Sequence, residues 1–298
     1  MGMTAELIQS DIQGLTLLRR GKVRDVYDLG DKLLIVSTDR LSAFDCILPD
    51  PIPGKGKLLT QISSWWFKKT SDLIPNHLIS SELSEIQKSL PQNVKLDPKA
   101  FDGRTMLTWK AKRIDAECVV RGYIAGSGWK EYQSTSTICG HRLPPNLLES
   151  AELPTPIFTP ATKADEGHDQ NISPAQLAQA VGPNVGAELE QLSIKLYTFA
   201  RELLKSKQLI LADTKFEFGY INNRITLIDE ILTPDSSRVW DSKTYKPGTT
   251  PASFDKQFVR DYLERIKWNK QPPAPSLPAD VIEGTVKRYQ EFLRIVTA

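Results

Sequence analysis

Residues 213–219 read DTKFEFG, and the apolar run LILA at 209–212 leads into them. In a β-strand successive side chains point to opposite faces. Asp213, Lys215 and Glu217 therefore share one face, and Thr214, Phe216 and Phe218 the other. The segment reads as a strand that leaves a core and ends in a stripe of acid, base and acid.

Asn222-Asn223 follows as a turn, and the next strand, RITLIDEIL (224–232), carries Asp229-Glu230. A two-residue turn sets Glu217 opposite Ile228, whereas a three-residue loop with a bulge sets it opposite Asp229; the sequence leaves both registers open. In the second register two carboxylates a cross-strand distance apart can hold Mg²⁺, which takes one or two carboxylates plus substrate phosphates. Lys215 then reaches an anion beside them. The plain alternative is a solvated hairpin face laced with ion pairs. TPDSSRVWD (233–241) comes next, a donor-rich turn in which Arg238 has the fork geometry for phosphate or carboxylate.

Outward from this hairpin, the first third of the chain is β-rich. LTLLRR (15–20), VRDVYDLG (23–30) and KLLIVST (32–38) read as an antiparallel meander, and TMLTWKAKRI (105–114) and AECVVRGY (116–123) as further strands. Leu58, Leu59, Ile62, Trp65 and Trp66 make the apolar face of a helix over about 58–69. Residues 122–172 are rich in Gly, Ser, Thr and Pro and read as a long functional or mobile connection. Ser173, Pro174 and Gln176 supply N-cap, first helical residue and capping-box partner, and Gly182-Pro183 breaks that helix before 187–207. A last helix is expected near 280–296. The predicted fold class is α+β in two lobes, residues 1–115 and 116–298, with a small-molecule site in the cleft between them.

The totals fit a small-molecule enzyme better than a nucleic-acid or membrane binder. Net charge is +2, from 38 basic and 36 acidic residues among 298, so bulk electrostatics favour neither partner. Cys46, Cys118 and Cys139 form no C-x-x-C pair, which points to thiols in a reducing compartment. The first residues show no basic stretch followed by an apolar one, and no apolar run approaches the length of a membrane span, so the cytoplasm is the expected location.

Several segments have the composition of anion sites. Gly21-Lys22 sits at a strand–turn–strand, Gly54-Lys55-Gly56-Lys57 opens a helix, and Arg121 runs into Gly122, Gly126, Ser127 and Gly128. TKADEGHD (162–169) packs Lys163, Asp165, Glu166, His168 and Asp169 into one loop. Each has a bland alternative as a Gly-rich turn or polar loop, and none is a P-loop or dinucleotide fingerprint. No nucleophile signature occurs. Anion sites, an Mg²⁺ site and no covalent nucleophile together describe a nucleotide-dependent transfer run by positioning and charge neutralisation.

GKVRDVY, TDRLSAFD, IPGKGKLLTQ, ECVVRGYIAGSGWKEY, TKADEGHDQNIS, DTKFEFG and DEILTPDSSRVW, in this order over about residues 15–265, resemble the SAICAR synthetase family of purine biosynthesis, in its longer, yeast-like branch. The resemblance implies a ligase that joins the carboxylate of 5-amino-1-(5-phosphoribosyl)imidazole-4-carboxylate (CAIR) to the amine of L-aspartate, using ATP and Mg²⁺, most simply through an acyl phosphate. It implies an N-terminal lobe like the small lobe of kinases and an ATP-grasp-like C-terminal lobe. By motif, Gly21, Lys22 and Arg24 match the triphosphate-covering hairpin, and Glu117 and Val119 the adenine-contacting hinge. Glu217 and Asp229 match Mg²⁺ ligands, which favours the bulged register, with Lys215 catalytic beside them. Arg121, Ser127, Lys215 and Arg238 match the phosphoribosyl site. Ser42, Asp45, Lys55 and Gly56 match the imidazole-carboxylate or aspartate pocket, which Lys163, Asp165 and His168 help to form. The implied protein is a monomer or small homo-oligomer with no nucleic-acid or membrane partner. The rivals are another ATP-dependent small-acid ligase or kinase on the same fold, and a catalytically silent nucleotide-binding module.

Overall fold

The computed structural model describes residues 6–163 and 170–298. The chain forms two compact units, Met1–Lys69 with His77–Ala111 and Asp255–Ala298, and Thr70–Asn76 with Lys112–Phe254.

In the first unit, β1 (Thr16–Arg20), β2 (Arg24–Asp28) and β3 (Lys32–Ser37) form the antiparallel meander that the sequence predicts. The Gly21 N–H donates to the Arg24 carbonyl at 2.7 Å and closes the first loop. A short hairpin, β4 (Ser42–Ala43) and β5 (Cys46–Ile47), turns on Phe44 and Asp45, both left-handed with φ of 50° and 63°. Helix α1 (Lys55–Lys69) starts earlier than its apolar periodicity indicates, because the Asp39 carboxylate accepts the Gly56 N–H at 2.9 Å and anchors the first turn. Its Leu59, Ile62, Trp66 and Phe67 are buried, each worth about 1.5–3 kcal/mol relative to exposure. β6 (Leu78–Ser80), α2 (Leu83–Lys88), α3 (Pro98–Phe101) and β7 (Thr105–Trp109) follow, and the sheet order is β1-β2-β3-β7-β6.

The second unit opens with β8 (Lys112–Arg113), β9 (Ala116–Tyr123) and α4 (Gly126–Thr135). β10 (Thr137–Ile138), β11 (His141–Arg142), β12 (Glu152–Phe158) and β13 (Ala161–Thr162) come next. Just over half of the described residues in the stretch that reads as a long connection are thus in helix or strand. The capping box at Ser173 and Gln176 is present and starts α5 (Pro174–Val181); Gly182, φ 94°, separates it from α6 (Pro183–Ser206). β14 (Leu209–Ile221), β15 (Arg224–Ile228) and β16 (Ser237–Asp241) complete a seven-stranded sheet of order β12-β9-β14-β15, with β13 also on β9 and β8 and β16 also on β14. α6 packs on β14 and β9. The hydroxyl of its buried Tyr197 donates to the Leu211 carbonyl at 2.6 Å, and a Cβ on Gly122 would lie 2.0 Å from that oxygen. Only glycine allows this approach.

The β14–β15 register corrects the bulged expectation. Glu217 pairs with Ile228, not Asp229. Asn222 and Asn223 are both left-handed, φ 50° and 60°, the conformation of a two-residue type I′ turn. Asp229 lies just beyond the strand with φ 68°.

The chain then adds α7 (Gln257–Arg265) and α8 (Ala279–Thr297) to the first unit. Val259, Leu263, Leu277 and Val281 share a core with Leu41, Leu48 and Ile52. A single cut at 115/116 therefore does not describe the chain, since the apolar faces of α7 and α8 are buried among residues 41–52.

Candidate active site

The charged stripe of β14 is real, and its neighbours give it meaning. β9 sets Arg121 opposite Asp213, and β16 sets Arg238 opposite the same residue. Arg121 Nη1 donates to Asp213 Oδ2 at 3.1 Å, and Arg238 donates to that same oxygen. The other Arg121 donors go to Thr159 Oγ1 and Ser127 Oγ, each at 3.0 Å. Gly126, φ 57°, opens α4 so close to Arg238 that a Cβ would lie 2.7 Å from its Nη2. Two guanidiniums, a serine hydroxyl and the start of a ten-residue helix thus surround one carboxylate. This is the chemistry that holds phosphate or carboxylate. Burial pulls the Arg121 pKa below its ordinary value, against the attraction of Asp213.

Two and four residues on, the same face holds a chain of opposite charges. Lys163 pairs with Glu217, and Lys215 pairs with Glu117 while its Nζ stands 3.4 Å from Glu217 Oε1. Burial works against the Lys215 charge, but Glu217, Glu117 and Asp229 together push its pKa above the usual lysine range. Three carboxylates therefore act on one ammonium, although Glu217 and Asp229 are not register partners. Val119 lies between Glu117 and Arg121 on β9, opposite Lys215, and is half-buried. Among the described residues no three His, Cys, Asp or Glu side chains form a metal cage.

In the first unit, Lys22 of the β1–β2 loop pairs with Asp45 of the β4–β5 turn. Arg24 begins β2, and Ser42 is buried in β4. Lys55 is fully buried, and Gly56 lies against Ser37, where a Cβ would meet the carbonyl oxygen at 2.2 Å. Asp165, Glu166, His168 and Asp169 fall outside the described residues. Three residues outside the predicted site organise these groups. Asp213 and Thr159 orient Arg121, and Asp39 joins Gly56 to Arg104 through a 3.0 Å pair. Asp213 was visible in the charged stripe; Thr159 carried no signal.

A mixed α/β fold of antiparallel sheets, with paired guanidiniums beside an acid–lysine chain on one sheet face, defines an enzyme that handles anionic small molecules. The comparisons with known proteins are specific. The sequence model of the SAICAR synthetase family matches residues 17–275. The phosphoribosylaminoimidazole-succinocarboxamide synthase of Elusimicrobium minutum is 56% identical over 94% of this chain and 95% of its own, and that of Thermodesulfovibrio yellowstonii 51% identical over 98% and 99%. The solved structure of the SAICAR synthase from Saccharomyces cerevisiae complexed with SAICAR superposes with a TM-score of 0.89 at 43% identity, covering 98% of each chain. A Type-2 SAICAR synthetase in complex with ADP gives 0.67 at 26% identity, over 94% and 97%. The chain belongs to the SAICAR synthetase family and is a ligase that forms a C–N bond.

Proposed function

We propose that this ligase joins the carboxylate of CAIR to the amine of L-aspartate, giving SAICAR, ADP and phosphate in purine biosynthesis. The reading rests on the family membership and on one observation, the Arg121–Asp213–Arg238 group with Ser127, continued along the same strand by Lys215 and Glu217. A phosphorylated heterocyclic acid needs a phosphate site and a charge-neutralising site side by side.

Arg121, Arg238 and Ser127 take the phosphoribosyl phosphate. Lys215, held protonated by its carboxylates, neutralises the acid or the phosphoryl group that reaches it. Gly21, Lys22 and Arg24 cover the triphosphate, and Glu117 and Val119 meet the adenine. Ser42, Asp45, Lys55, Gly56, Lys163, Asp165 and His168 serve the imidazole carboxylate or aspartate. We take the five-stranded sheet as the element like the kinase small lobe, and the seven-stranded sheet as the ATP-grasp-like element.

The donor chemistry of Glu217 and Asp229 fits Mg²⁺, a hard cation that takes a carboxylate pair and completes its shell with phosphates and water. Those two residues would hold it, and when bound it supplies neutralisation of the phosphate charge. A carboxylate oxygen of CAIR attacks the γ-phosphorus and ADP leaves. The aspartate nitrogen, as the free amine, then attacks the acyl carbon; the C–O bond to phosphate breaks, and the departing phosphate takes one N–H proton, leaving the secondary amide. The free thiols Cys46, Cys118 and Cys139 accord with a reducing cytoplasm, and we take the protein to be a monomer or small homo-oligomer.

The deciding assay is ADP release with ATP, Mg²⁺, CAIR and L-aspartate, each omitted in turn. Dependence on all four, with succinocarboxamide formed, is expected. ADP released with CAIR but without aspartate would place activation before amine attack. ATP binding with no dependence on CAIR would transfer the protein to another small acid.

A further inference from the structure

The β4–β5 turn is built in a conformation that its first residue does not favour. Phe44 and Asp45 occupy consecutive left-handed positions, φ 50° and 63°, between the paired Ala43 and Cys46. Such turns are dominated by Asn, Asp and Gly. A phenylalanine there is an outlier, and outliers persist when their surroundings over-determine them. Those surroundings come from a distant stretch of sequence in the same unit. Lys270 Nζ sits 4.2 Å from the Phe44 ring centroid, the distance of a cation–π contact. The Trp268 ring is 6.4 Å from it, tilted by 58°. The Lys270 carbonyl accepts from Cys46 Sγ at 3.7 Å, and Lys270 Nζ is also held by Glu264 at 3.1 Å. The segment 264–270 therefore grips the turn by ring, cation and backbone. Asp45, the second residue of that turn, is half-exposed and pairs with Lys22.

We infer that Phe44 is a positioning residue for the ligase, whose ring, clamped by Trp268 and Lys270, holds the left-handed turn that presents the Asp45 carboxylate to an acid substrate. The inference rests on the proposed substrate role of Asp45. Its physical content is that the ring serves geometry more than stability. Removing it while keeping a residue content with positive φ separates the two.

The test is Phe44→Gly, with Lys270→Met and Asp45→Asn as companions, measured for the separate KM of CAIR, L-aspartate and ATP, for kcat and for the thermal midpoint. Glycine accepts φ above zero without strain, which offsets part of the packing lost with a ring that lies against the Leu41–Val281 core, so the constants are compared at a temperature where Phe44→Gly is folded. Its KM for CAIR or for aspartate should rise about tenfold, the order that a sub-ångström misplacement produces, and by more than its KM for ATP, which Asp45 reaches only through Lys22. Lys270→Met should shift the same KM in the same direction, by less. A Phe44→Gly enzyme with all three KM values and kcat unchanged, while Asp45→Asn raises one of them, overturns the clamp. If Asp45→Asn itself changes no substrate constant, the assignment of Asp45 has failed, and the clamp falls with it.

Discussion

Asp213 and Arg121 face each other across β14 and β9, with Asp213 Oδ2 at 3.1 Å from Arg121 Nη1 and shared with Arg238. One carboxylate thus serves two guanidiniums, and the group keeps a positive surplus to offer an anion. Asp213→Asn leaves those two buried cations without it. Removing one member of a buried ionic group costs about 3–5 kcal/mol, and urea unfolding should show a loss of that order. Inorganic phosphate should restore more stability to the variant than to the wild type, because it fills the same role. Equal effects of phosphate on both proteins would separate the arginines from phosphate binding.

Asp229 has φ 68°, a conformation that Asn tolerates nearly as well as Asp. Asp229→Asn should therefore change unfolding stability by no more than about 1 kcal/mol. It should lower kcat by about 100-fold or more if the carboxylate helps hold the Mg²⁺ that neutralises charge during transfer. Steady-state kinetics beside a urea midpoint check this, and near-normal turnover would remove Asp229 from the metal site.

The ionisable groups set a sign for alkaline behaviour. The folded protein holds Lys215 above its ordinary 10.5 and, by burial, Tyr27, Tyr123, Tyr197 and Tyr245 above 10.0. In each case the unfolded chain loses its proton first, as it does for the thiols Cys118 and Cys139, which burial holds above their ordinary 9.0, so the contribution of these groups is constant below about pH 9 and falls above it. Tyr197→Phe should flatten part of that fall while losing the bond to Leu211. Asp25 works at the other end. Burial opposes its charge, but the Ser10 N–H and Arg40 lower its pKa below 3.8, so its contribution disappears as pH drops through the acid range. Unfolding free energies at pH 7, 9.5 and 11 test the alkaline arm; a decline complete by pH 9.5 would contradict it.

Local chemistry made much of this molecule legible. The alternation in DTKFEFG placed three charges on one face because strand geometry leaves no other choice. Ser173-Pro174 and Gln176 announced a helix start because the orphan amides there need those acceptors. Three features failed to show, each for a different reason. The register at Glu217 hinged on whether Asn222-Asn223 alone makes the turn, and the family motif pulled the reading toward a bulge that the left-handed asparagines make unnecessary. The packing of α7 and α8 with Leu41 and Ile52 is purely tertiary; nothing in their own amphipathic pattern names the partner. Helix α4 was hidden by its own two glycines, both of which lie against arginine side chains.

Gly56 offers the sharpest steric test. A Cβ there would lie 2.2 Å from the Ser37 carbonyl oxygen, 2.7 Å from its carbon and 2.9 Å from Arg104 Nη1. Ser37 ends a central strand, and Arg104 is fully buried on Asp39, so neither can swing away. The Gly56 N–H bond to Asp39 ties any shift of α1 to that ion pair. Gly56→Ala should cost about 1–3 kcal/mol as overpacking, with more if the Asp39–Arg104 pair is disturbed. Gly30→Ala is the control. Its φ is 82° but nothing lies within 4 Å, so it carries only the backbone term of about 1–2 kcal/mol. Urea unfolding of both variants should rank Gly56→Ala as the more damaging, with a KM for CAIR or aspartate raised at temperatures where it remains folded. The reverse ranking would mean that α1 can slide without disturbing Asp39, and would withdraw Gly56 as the anchor of that helix.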